Sequence, residues 1–529
     1  MYDDESKQLP VIIVGAGPVG LYAAARLGGL GIDVVVLERL ADPSKQGSKA
    51  LCVQSDVLDL LDNVDSRTAV ISRGCAWNLS RTYIGQTEIR TTEFPGSPTG
   101  SPSFVNLPQW KVEEQLLDCA LKTGRVHIIR GAKLTGIRPA PSPDCEVVSI
   151  SYELQGEILD MQGSYLLGCD GVRSTVREIT GIRWLGKVHR DRFLIVDARI
   201  DVDWPKERRF WFNAPSNAGR QIVIHPQPDN VWRIDWQLAP DCDPAVEVTE
   251  ERVAKRVEAL AGMVPFELEW ASTYQFHQKY AEKLREGRTF LLGDAAHALP
   301  PFGARGMNSG LQDAENLAWK LASVIHGTAL PSLLDTYHEE RHKAALENID
   351  ITGATIRFMV PPTRVHRYYR NQLLRLSARY PSLNRLVNSG KMSQPASYKG
   401  LSSFSVPTDR QLAAGDLVPN VSINGISARK QASQKFTLFI RSEEATSPAM
   451  LRFRPYVNLF PVFFEEPETG SMFSVLAEAG AKGILVRPDG YIADVMDGDV
   501  STSVSIALRK HGITINSDRL SMHRSAVAA

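Results

Sequence analysis

The sequence lacks a net charge, a long apolar run and any closely spaced pair of cysteines. Its 60 Lys and Arg residues equal its 60 Asp and Glu residues in number, so composition gives no sign of a nucleic acid or an acidic membrane as partner. No apolar run reaches the roughly 18 residues of a membrane span. The polar start MYDDESKQLP is not a signal peptide. We therefore predict a cytoplasmic protein with no nucleic-acid partner and no membrane partner.

Cysteine is scarce and unevenly placed. There are six cysteines in 529 residues, none forms a CxxC pair, and none follows Cys242. This spacing argues against a disulfide framework and against a structural zinc site, and we predict no metal. The length is that of roughly two to four domains, and the 43% hydrophobic content is ordinary for a protein with a real core.

The stretch LPVIIVGAGPVGLYAAARLGGLGIDVVVLER carries the strongest motif. An apolar, β-branched run, residues 11–14, is typical of a buried parallel strand, and Gly15, Gly17 and Gly20 then fit the pattern G-x-G-x-x-G. These glycines allow a tight turn, close approach of a pyrophosphate and close helix packing. A second strand ends in Glu38, whose carboxylate can accept hydrogen bonds from ribose hydroxyls. The order predicts one dinucleotide-binding unit.

In two further stretches, an apolar run is followed by an aspartate. YLLGCDGVRSTVRE contains Asp170 followed by Gly171, which alone would be only a turn. LLGDAAHALPPFGARGMNSG contains Asp294, followed by a loop of prolines and glycines and then by a helical pattern. A loop so poor in ordinary side chains suggests that something large and polar lies against it.

With these three stretches the chain resembles the FAD-dependent aromatic hydroxylases, the group of para-hydroxybenzoate hydroxylase, phenol hydroxylase and the hydroxyphenylpropionate hydroxylases. The resemblance implies that G-x-G-x-x-G binds the ADP part of FAD, that Asp170 lies near FAD and the nicotinamide path, and that Asp294 binds the ribityl chain. It also places the backbone amides of Met307 and Asn308 at the isoalloxazine, where they can stabilise negative charge on reduced flavin.

The resemblance extends over nearly the whole chain and completes the candidate cofactor site. GSKALCVQSDVLDLL resembles the stretch in which an arginine meets FAD; here that position is Lys49, which keeps the charge but loses the planar fork. FVNLPQWKVEEQLL implies that Gln109 touches the flavin. The candidate cofactor-binding residues are Gly15, Gly17, Pro18, Gly20, Glu38, Arg39, Lys49, Gln109, Asp170, Asp294, Pro301, Gly306, Met307 and Asn308.

We expect an α/β and α+β fold, in which a Rossmann-like FAD-binding domain is interleaved with an antiparallel substrate sheet and followed by a thioredoxin-like domain. Residues 1–181 begin the FAD-binding domain, with an excursion into the substrate domain at about 76–108. Residues 182–285 form the substrate sheet, residues 286–400 close the FAD-binding domain and add a helical connection, and residues 405–529 form the C-terminal domain. That domain lacks cysteine, so a structural or dimer-stabilising role is expected, and a homodimer stays open.

Alternation in the substrate sheet predicts its two faces. In VWRIDWQL, the residues Trp232, Ile234 and Trp236 face one way, and Arg233, Asp235 and Gln237 face the other. A plain solvent face would explain the polar set equally well. In the family, however, the polar face covers the flavin, so Arg233, Asp235 and, on a neighbouring strand, His225 become candidate catalytic residues.

The resemblance implies a mechanism as well. NADH or NADPH reduces FAD, dioxygen adds to give a flavin hydroperoxide, and a phenolic or related aromatic substrate is hydroxylated ortho or para to its hydroxyl. Phenols ionise near pH 10, so the site should offer a base or a positive potential; Phe210, Trp211 and Phe212 are expected to form an apolar wall. Modification of an antibiotic or polyketide, Baeyer–Villiger insertion, oxidation without hydroxylation and a non-catalytic flavin sensor remain alternatives.

One motif competes with this interpretation. HEERH, from His338 to His342, matches the H-E-x-x-H pattern of zinc proteases and lies in a predicted helix. The family has LLxTYxxER at this place and the chain reads LLDTYHEER, so the glutamate and the arginine are already explained. We therefore expect two helix-borne histidines and no zinc. His297, directly after the Asp294 motif, is likewise expected to be structural.

Overall fold

The structure is a computed structural model. It describes residues 8–42, 50–97, 99–138, 147–361, 363–387, 392, 394–404, 412–423, 426–463 and 471–515. The strands, in chain order, are β1 (Val11–Val14), β2 (Val34–Glu38), β3 (Cys52–Gln54), β4 (Cys75–Trp77), β5 (Leu79–Ile84), β6 (Thr87–Glu93), β7 (Phe104–Asn106), β8 (Val126–Arg130), β9 (Lys133–Arg138), β10 (Val148–Leu154), β11 (Glu157–Gly163), β12 (Tyr165–Gly168), β13 (Trp184–Ile200), β14 (Arg208–Ala214), β15 (Arg220–Pro226), β16 (Val231–Gln237), β17 (Phe266–Ala281), β18 (Arg285–Glu286), β19 (Thr289–Leu291), β20 (His297–Ala298), β21 (Ser422–Ile423), β22 (Ile426–Ser427), β23 (Phe436–Arg441), β24 (Val457–Val462), β25 (Gly483–Val486) and β26 (Ile492–Met496).

The helices, in chain order, are α1 (Pro18–Gly29), α2 (Ser55–Asp62), α3 (Arg67–Arg73), α4 (Gln109–Lys122), α5 (Thr175–Ile179), α6 (Pro244–Glu247), α7 (Glu250–Ala261), α8 (Arg305–Ile325), α9 (Asp335–Met359), α10 (Arg364–Arg379), α11 (Ala428–Ala432), α12 (Ser442–Ala445), α13 (Pro448–Leu451), α14 (Met472–Glu478) and α15 (Val500–Lys510). None of these helices is both long enough and apolar enough to cross a membrane.

A six-stranded sheet of order β18-β19-β12-β1-β2-β8 forms the centre of the N-terminal half. Its inner strands are parallel: β1 pairs with β12 on one side and with β2 on the other. All four residues of β1 are buried, as a parallel strand covered on both faces requires. Because parallel strands end at the same edge, the loops after β1, β2 and β12 meet there.

An eight-stranded sheet of order β20-β17-β13-β16-β15-β14-β5-β6 forms the second layer. It is mostly antiparallel, but β14 and β5 pair in parallel. One face buries Trp232, Ile234 and Trp236 together with Val253 and Val257 of α7. The opposite face packs against the loop of residues 292–304 between β19 and α8, called the flavin-type loop below, because Phe302 of that loop shares one apolar cluster with Phe193 and Phe276 of the sheet.

The C-terminal unit, residues 412–515, contains a four-stranded sheet of order β24-β23-β25-β26. One of its apolar clusters includes Trp319 of α8 and Leu333, so the unit packs directly on the N-terminal half. The predicted mixed α/β fold is confirmed. The domain boundaries, the interleaving and the thioredoxin-like character of this unit stay predictions.

Candidate active site

The turn between β1 and α1 has the geometry of a phosphate cradle. Gly15 has φ +106°, and a Cβ there would lie 2.5 Å from the carbonyl oxygen of Cys169. A Cβ on Gly20 would lie 2.0 Å from the carbonyl oxygen of Gly15, whereas a Cβ on Gly17 would meet nothing within 4 Å. Pro18 is the first residue of α1, and no described side chain caps this helix, so its first N–H groups are suited to bind an anion.

Glu38 closes the same turn from the end of β2. Its Oε2 accepts a hydrogen bond from the Ala16 N–H at 2.8 Å, and its Oε1 accepts one from the Leu40 N–H at 2.9 Å. Each carboxylate oxygen keeps acceptor capacity for a ribose hydroxyl. Arg39 is exposed next to Glu38. Lys49 lies outside the described residues.

Gln109 and Asp170 reach the same edge of the sheet from two directions. Gln109 begins α4, its Oε1 accepts from the Ala50 N–H at 3.3 Å and its Nε2 donates to Glu113 at 2.8 Å. Asp170 accepts from the Ser174 hydroxyl at 2.5 Å and from the Val176 N–H at 3.1 Å. The side chain of Asp170 therefore holds the start of α5, and burial raises its pKa despite those hydrogen bonds.

Asp294 is exposed although its neighbours in the chain are buried. It lies in a 3₁₀ turn after β19, in which Gly293 has φ +57°. A Cβ added to Gly306, in the first turn of α8, would be 3.9 Å from Asp294 Oδ1. Burial and the negative charge of Asp294 both raise the pKa of Tyr274 on β17. The carboxylate therefore faces the seam between the loop and the eight-stranded sheet.

The N-terminus of α8 adds a second set of backbone donors. Ala304, just before the helix, has φ +55°, and no described side chain caps α8. The Asn308 side chain accepts from the Gln54 N–H at 3.2 Å and donates to the Cys52 carbonyl at 2.8 Å. Asn308 therefore braces β3 against α8, and Met307 is buried beside it. Pro301 is exposed in the loop.

The polar face of the eight-stranded sheet carries a row of side chains across neighbouring strands. Strand register and alternation align Ser80, Arg208, His225, Arg233 and Asp197. Arg233 is buried and forms a two-pronged ion pair with Asp197, with N–O distances of 2.8 and 2.6 Å. Arg208 donates to the Ser80 hydroxyl at 3.1 Å. The row thus brings two guanidinium groups to either side of His225.

Three titratable groups of this face have shifted pKa values: Arg208, whose pKa burial lowers to about 10, His225 and Asp235. Burial, reinforced by the charges of Arg208 and Arg233, lowers the pKa of His225 well below its ordinary value. Burial raises the pKa of Asp235 to about 7, although Arg233 opposes that shift. His225 Nδ1 and Asp235 Oδ1 are buried and have no hydrogen-bond partner among the described residues. Such orphaned atoms are what a polar group of a ligand would satisfy.

Aromatic rings join this face to the loop after Asp294. Phe302 of the loop contacts Phe276 and Phe193 of the sheet, at ring-centroid distances of 5.2 and 6.4 Å. The Trp77 ring lies 6.5 Å from that of His225. Phe210 belongs to the same apolar cluster as Phe302, but Trp211 stacks on Tyr83 on the opposite face of the sheet. Strand alternation therefore excludes Trp211 from the expected wall.

Sequence reasoning missed Arg208, Tyr274 and Phe302. The stretch ERRFWF alternates, and a period of two would have put Arg208 on the face of Phe210 and Phe212. No signal in the sequence indicated Tyr274, because its proximity to Asp294 depends on how β17 crosses the loop. HEERH lies on α9, where His338 Nδ1 accepts from the Leu284 N–H at 3.3 Å.

The residues fit FAD. The space at Gly17 and the uncapped start of α1 are suited to a pyrophosphate. The uncapped start of α8 is suited to a charged ring system, and the exposed carboxylate of Asp294 is suited to a polyol chain. FAD, when bound, supplies hydride acceptance and dioxygen activation. The protein contributes the binding groups and the polar face opposite the loop.

Comparison with known proteins agrees with this geometry. Residues 8–352 match the family described as FAD binding domain. Dialkyldecalin synthase of Streptomyces rugosporus is 34% identical over 362 residues, which cover 67% of this chain and 74% of that protein. The 3-(3-hydroxy-phenyl)propionate/3-hydroxycinnamic acid hydroxylase of Burkholderia cenocepacia is 29% identical over 409 residues, 73% of this chain and 70% of that protein.

A solved structure covers the C-terminal unit as well. The crystal structure of aklavinone-11 hydroxylase with FAD and aklavinone has a TM-score of 0.76 and 25% identity, and covers 97% of this chain and 100% of that chain. The chain therefore belongs to the FAD-dependent aromatic hydroxylase family, a group of flavoprotein monooxygenases. The predicted family is confirmed. The roles of the individual site residues stay predictions.

Proposed function

We propose that this protein is a monooxygenase that uses FAD, NADH or NADPH, and dioxygen to hydroxylate a phenolic or related aromatic ring. The observation that carries this proposal is the polar row on the sheet face opposite the flavin-type loop. A phenol presented to that face meets Asp235, whose pKa is about 7, and His225, which its surroundings keep neutral. Ionised Asp235 can take a proton from the substrate hydroxyl near neutral pH, and neutral His225 can accept a hydrogen bond from that hydroxyl.

The guanidinium groups support the same chemistry. Arg208 and Arg233 flank His225 in the row, so a negative oxygen on the substrate lies in a positive potential. That potential favours the ionised phenol, which is the more reactive form towards an electrophilic oxygen. Phe302 and the sheet phenylalanines at positions 193, 210 and 276 line the seam with apolar surface, which limits water in the site.

The substrate class extends to polycyclic ring systems. Aklavinone-11 hydroxylase, with which this chain shares its fold over 97% of its length, was solved with aklavinone bound. We therefore include aromatic polyketides and antibiotics among the substrates proposed here. NADH and NADPH are both retained as electron donors.

A second candidate is ring formation without oxidation, because dialkyldecalin synthase is 34% identical to this chain. In that case the same pocket would bind a flexible precursor, and electron donor and dioxygen would not be consumed. Asp235, with a pKa of about 7, favours the monooxygenase, since deprotonation of a phenol uses such a proton acceptor and ring formation without oxidation does not require one.

The test combines a substrate panel with isotopic labelling. Purified FAD-loaded protein is mixed with simple phenols and with polycyclic phenols, and oxidation of NADH and NADPH is followed. The expected result is substrate-stimulated oxidation of one donor and a product that carries one oxygen atom from labelled dioxygen. A product that forms without donor and without dioxygen would instead establish the cyclase. If every compound gives donor oxidation with hydrogen peroxide as its sole product, the proposal of hydroxylation is contradicted.

A further inference from the structure

Asp313 on α8 forms hydrogen bonds with the segment that contains Asp294. It is completely buried. Its Oδ2 accepts a hydrogen bond from the Gly293 N–H at 3.0 Å and faces His297 Nε2 at 2.7 Å. His297 Nδ1 is buried and has no partner among the described residues, and since the Asp313 carboxylate can only accept, His297 Nε2 is the donor of this hydrogen bond. One carboxylate therefore anchors the chain on both sides of Asp294.

Arg341 on α9 holds Asp313 from the other side. Its Nε donates to Asp313 Oδ1 at 2.6 Å, and one terminal nitrogen contacts the carbonyl and the hydroxyl of Ser309 at 3.2 Å each. Burial opposes ionisation of Asp313, but His297 and Arg341 outweigh it, and the pKa of Asp313 is lowered. Since Ser309 lies in the second turn of α8, Arg341 joins the Asp294 turn to the N-terminus of that helix.

The same arginine is connected to the C-terminal unit through Tyr398, which precedes that unit in the chain. Its other terminal nitrogen donates to the Tyr398 hydroxyl at 2.8 Å. The Tyr398 ring stacks on Tyr491, with centroids 4.1 Å apart and planes 24° apart, and the Tyr491 hydroxyl donates to the Ala396 carbonyl at 2.9 Å. Tyr491 directly precedes β26. A continuous set of buried contacts therefore runs from the C-terminal unit to the turn of Asp294.

We propose that Asp313 and Arg341 are positioning residues for FAD, and that the C-terminal unit sets their geometry through Tyr398 and Tyr491. The inference rests on FAD binding at Asp294, which is part of the function proposed above. It gives the C-terminal unit a role in cofactor binding although the described residues of that unit do not line the flavin-type loop. Neither Asp313 nor Arg341 needs to touch the cofactor in order to have this effect.

Asp313→Asn tests the anchor, because the amide keeps the size of the side chain but presents one N–H₂ group where Asp313 only accepts. Either the Gly293 side or the Arg341 side then loses its acceptor. The matched control is Glu247→Gln. Glu247 on α6 is another buried carboxylate, and its Oε2 lies 2.5 Å from a terminal nitrogen of Arg256. For each variant the apo-protein is titrated with FAD by fluorescence quenching, and thermal unfolding of the apo-protein is recorded.

We expect Asp313→Asn to raise the dissociation constant for FAD by roughly 10- to 100-fold, the range that supporting partners contribute at metal sites. The visible absorption spectrum of the bound flavin should shift as well. Glu247→Gln should lower the unfolding temperature without changing the FAD dissociation constant. An unchanged dissociation constant in Asp313→Asn, with lowered stability only, would overturn the inference.

Tyr398→Phe tests the connection to the C-terminal unit and decides the matter if Asp313→Asn does not fold. The phenylalanine ring can still stack on Tyr491, but Arg341 loses an acceptor. We expect FAD to bind more weakly than in the wild type, with a smaller rise in the dissociation constant than in Asp313→Asn. Wild-type affinity in Tyr398→Phe would overturn the role of the C-terminal unit. If the wild-type protein itself does not bind FAD, the proposed function fails and the inference fails with it, an outcome that the wild-type titration reveals separately.

Discussion

Asp235 combines an acidic group with an apolar neighbourhood. On its face of the sheet it lies between Val223 of β15 and Ile195 of β13, its partners in the strand register. The nearby carboxylate of Asp197 adds to the effect of burial, and the pKa rises from 3.8 to about 7. A carboxyl group that changes charge near neutral pH is suited to proton transfer.

In the wild-type protein, the rate of substrate-stimulated NAD(P)H oxidation should rise with pH around a midpoint near 7, because only ionised Asp235 can accept the substrate proton. This rise is the ascending limb of the pH profile. In Asp235→Asn this limb should disappear and the maximal rate should fall by on the order of 10²-fold or more, as for loss of a general base. The measurement is the pH dependence of substrate-stimulated NAD(P)H oxidation. A variant that keeps the limb would assign it to another group.

The same shift predicts a stability effect with a fixed sign. The folded pKa of Asp235 lies above the unfolded one, so folding takes up a proton between them. Its contribution is fully present below about pH 4 and is lost as the pH rises through about 7. Asp235→Asn should therefore be less sensitive to pH across that window than the wild type, as measured by urea unfolding.

At this scale the sequence predicts side-chain direction better than side-chain partners. Alternation in VWRIDWQL placed Arg233 and Asp235 on one face, and the structure has them there. It did not predict that Asp197 would form an ion pair with Arg233, because that contact joins strands far apart in the chain. The carboxylate of Asp313 was missed for the same reason: its partners Gly293, His297 and Arg341 meet only in the folded protein.

At the scale of elements, two glycines at the start of α1 are needed for different reasons, Gly20 for folding and Gly17 for ligand binding. Gly20 packs against the chain, since a Cβ there would lie 2.0 Å from the carbonyl oxygen of Gly15. Gly17 has φ −74°, which any residue adopts, and a Cβ there would meet nothing within 4 Å. The protein alone therefore gives no reason for glycine at position 17, and a pyrophosphate does.

Gly17→Ala should fold as the wild type does and bind FAD at least 10-fold more weakly, as expected for a methyl group at a phosphate approach. Gly20→Ala should lower the stability of the apo-protein, because backbone atoms must move to admit the methyl group. Unfolding of the apo-proteins and FAD titration distinguish the two effects. Wild-type FAD affinity in Gly17→Ala would contradict the predicted cradle.

Elements near the motifs were the most predictable, because local signals define them. The order of β1, α1 and β2 follows from an apolar run, three glycines and a terminal acid. The pairing of β14 with β5 was not predictable, since it joins strands more than a hundred residues apart in parallel. The long strand β13 was also beyond local reasoning, because its register with β17 shifts between Val188 and Arg192.

At the scale of the whole molecule, a buried ion cluster holds the C-terminal unit against α8 and α9. Arg487 donates two hydrogen bonds of 2.8 Å to Glu340, which also accepts from Lys320 at 3.0 Å. Asn316 donates to Glu340 at 2.6 Å and to Asp489 at 3.2 Å. Burial opposes ionisation of Glu340, but Arg487 and Lys320 lower its pKa. The cluster is stable only while its cations and anions remain together.

Arg487→Ala should therefore destabilise the protein by about 3–5 kcal/mol, the cost of breaking a buried ion pair by removing one partner. Glu340 and Asp489 would stay buried with one compensating cation fewer, so the C-terminal unit should separate first and unfolding should show two transitions. The control is Arg183→Ala, which breaks the exposed pair with Glu282 and should leave the denaturation curve unchanged. Urea unfolding followed by tryptophan fluorescence measures both variants, since Trp319 lies in the interface. A single transition at the wild-type midpoint in Arg487→Ala would show that the apolar contacts of the C-terminal unit hold it in place without the ion cluster.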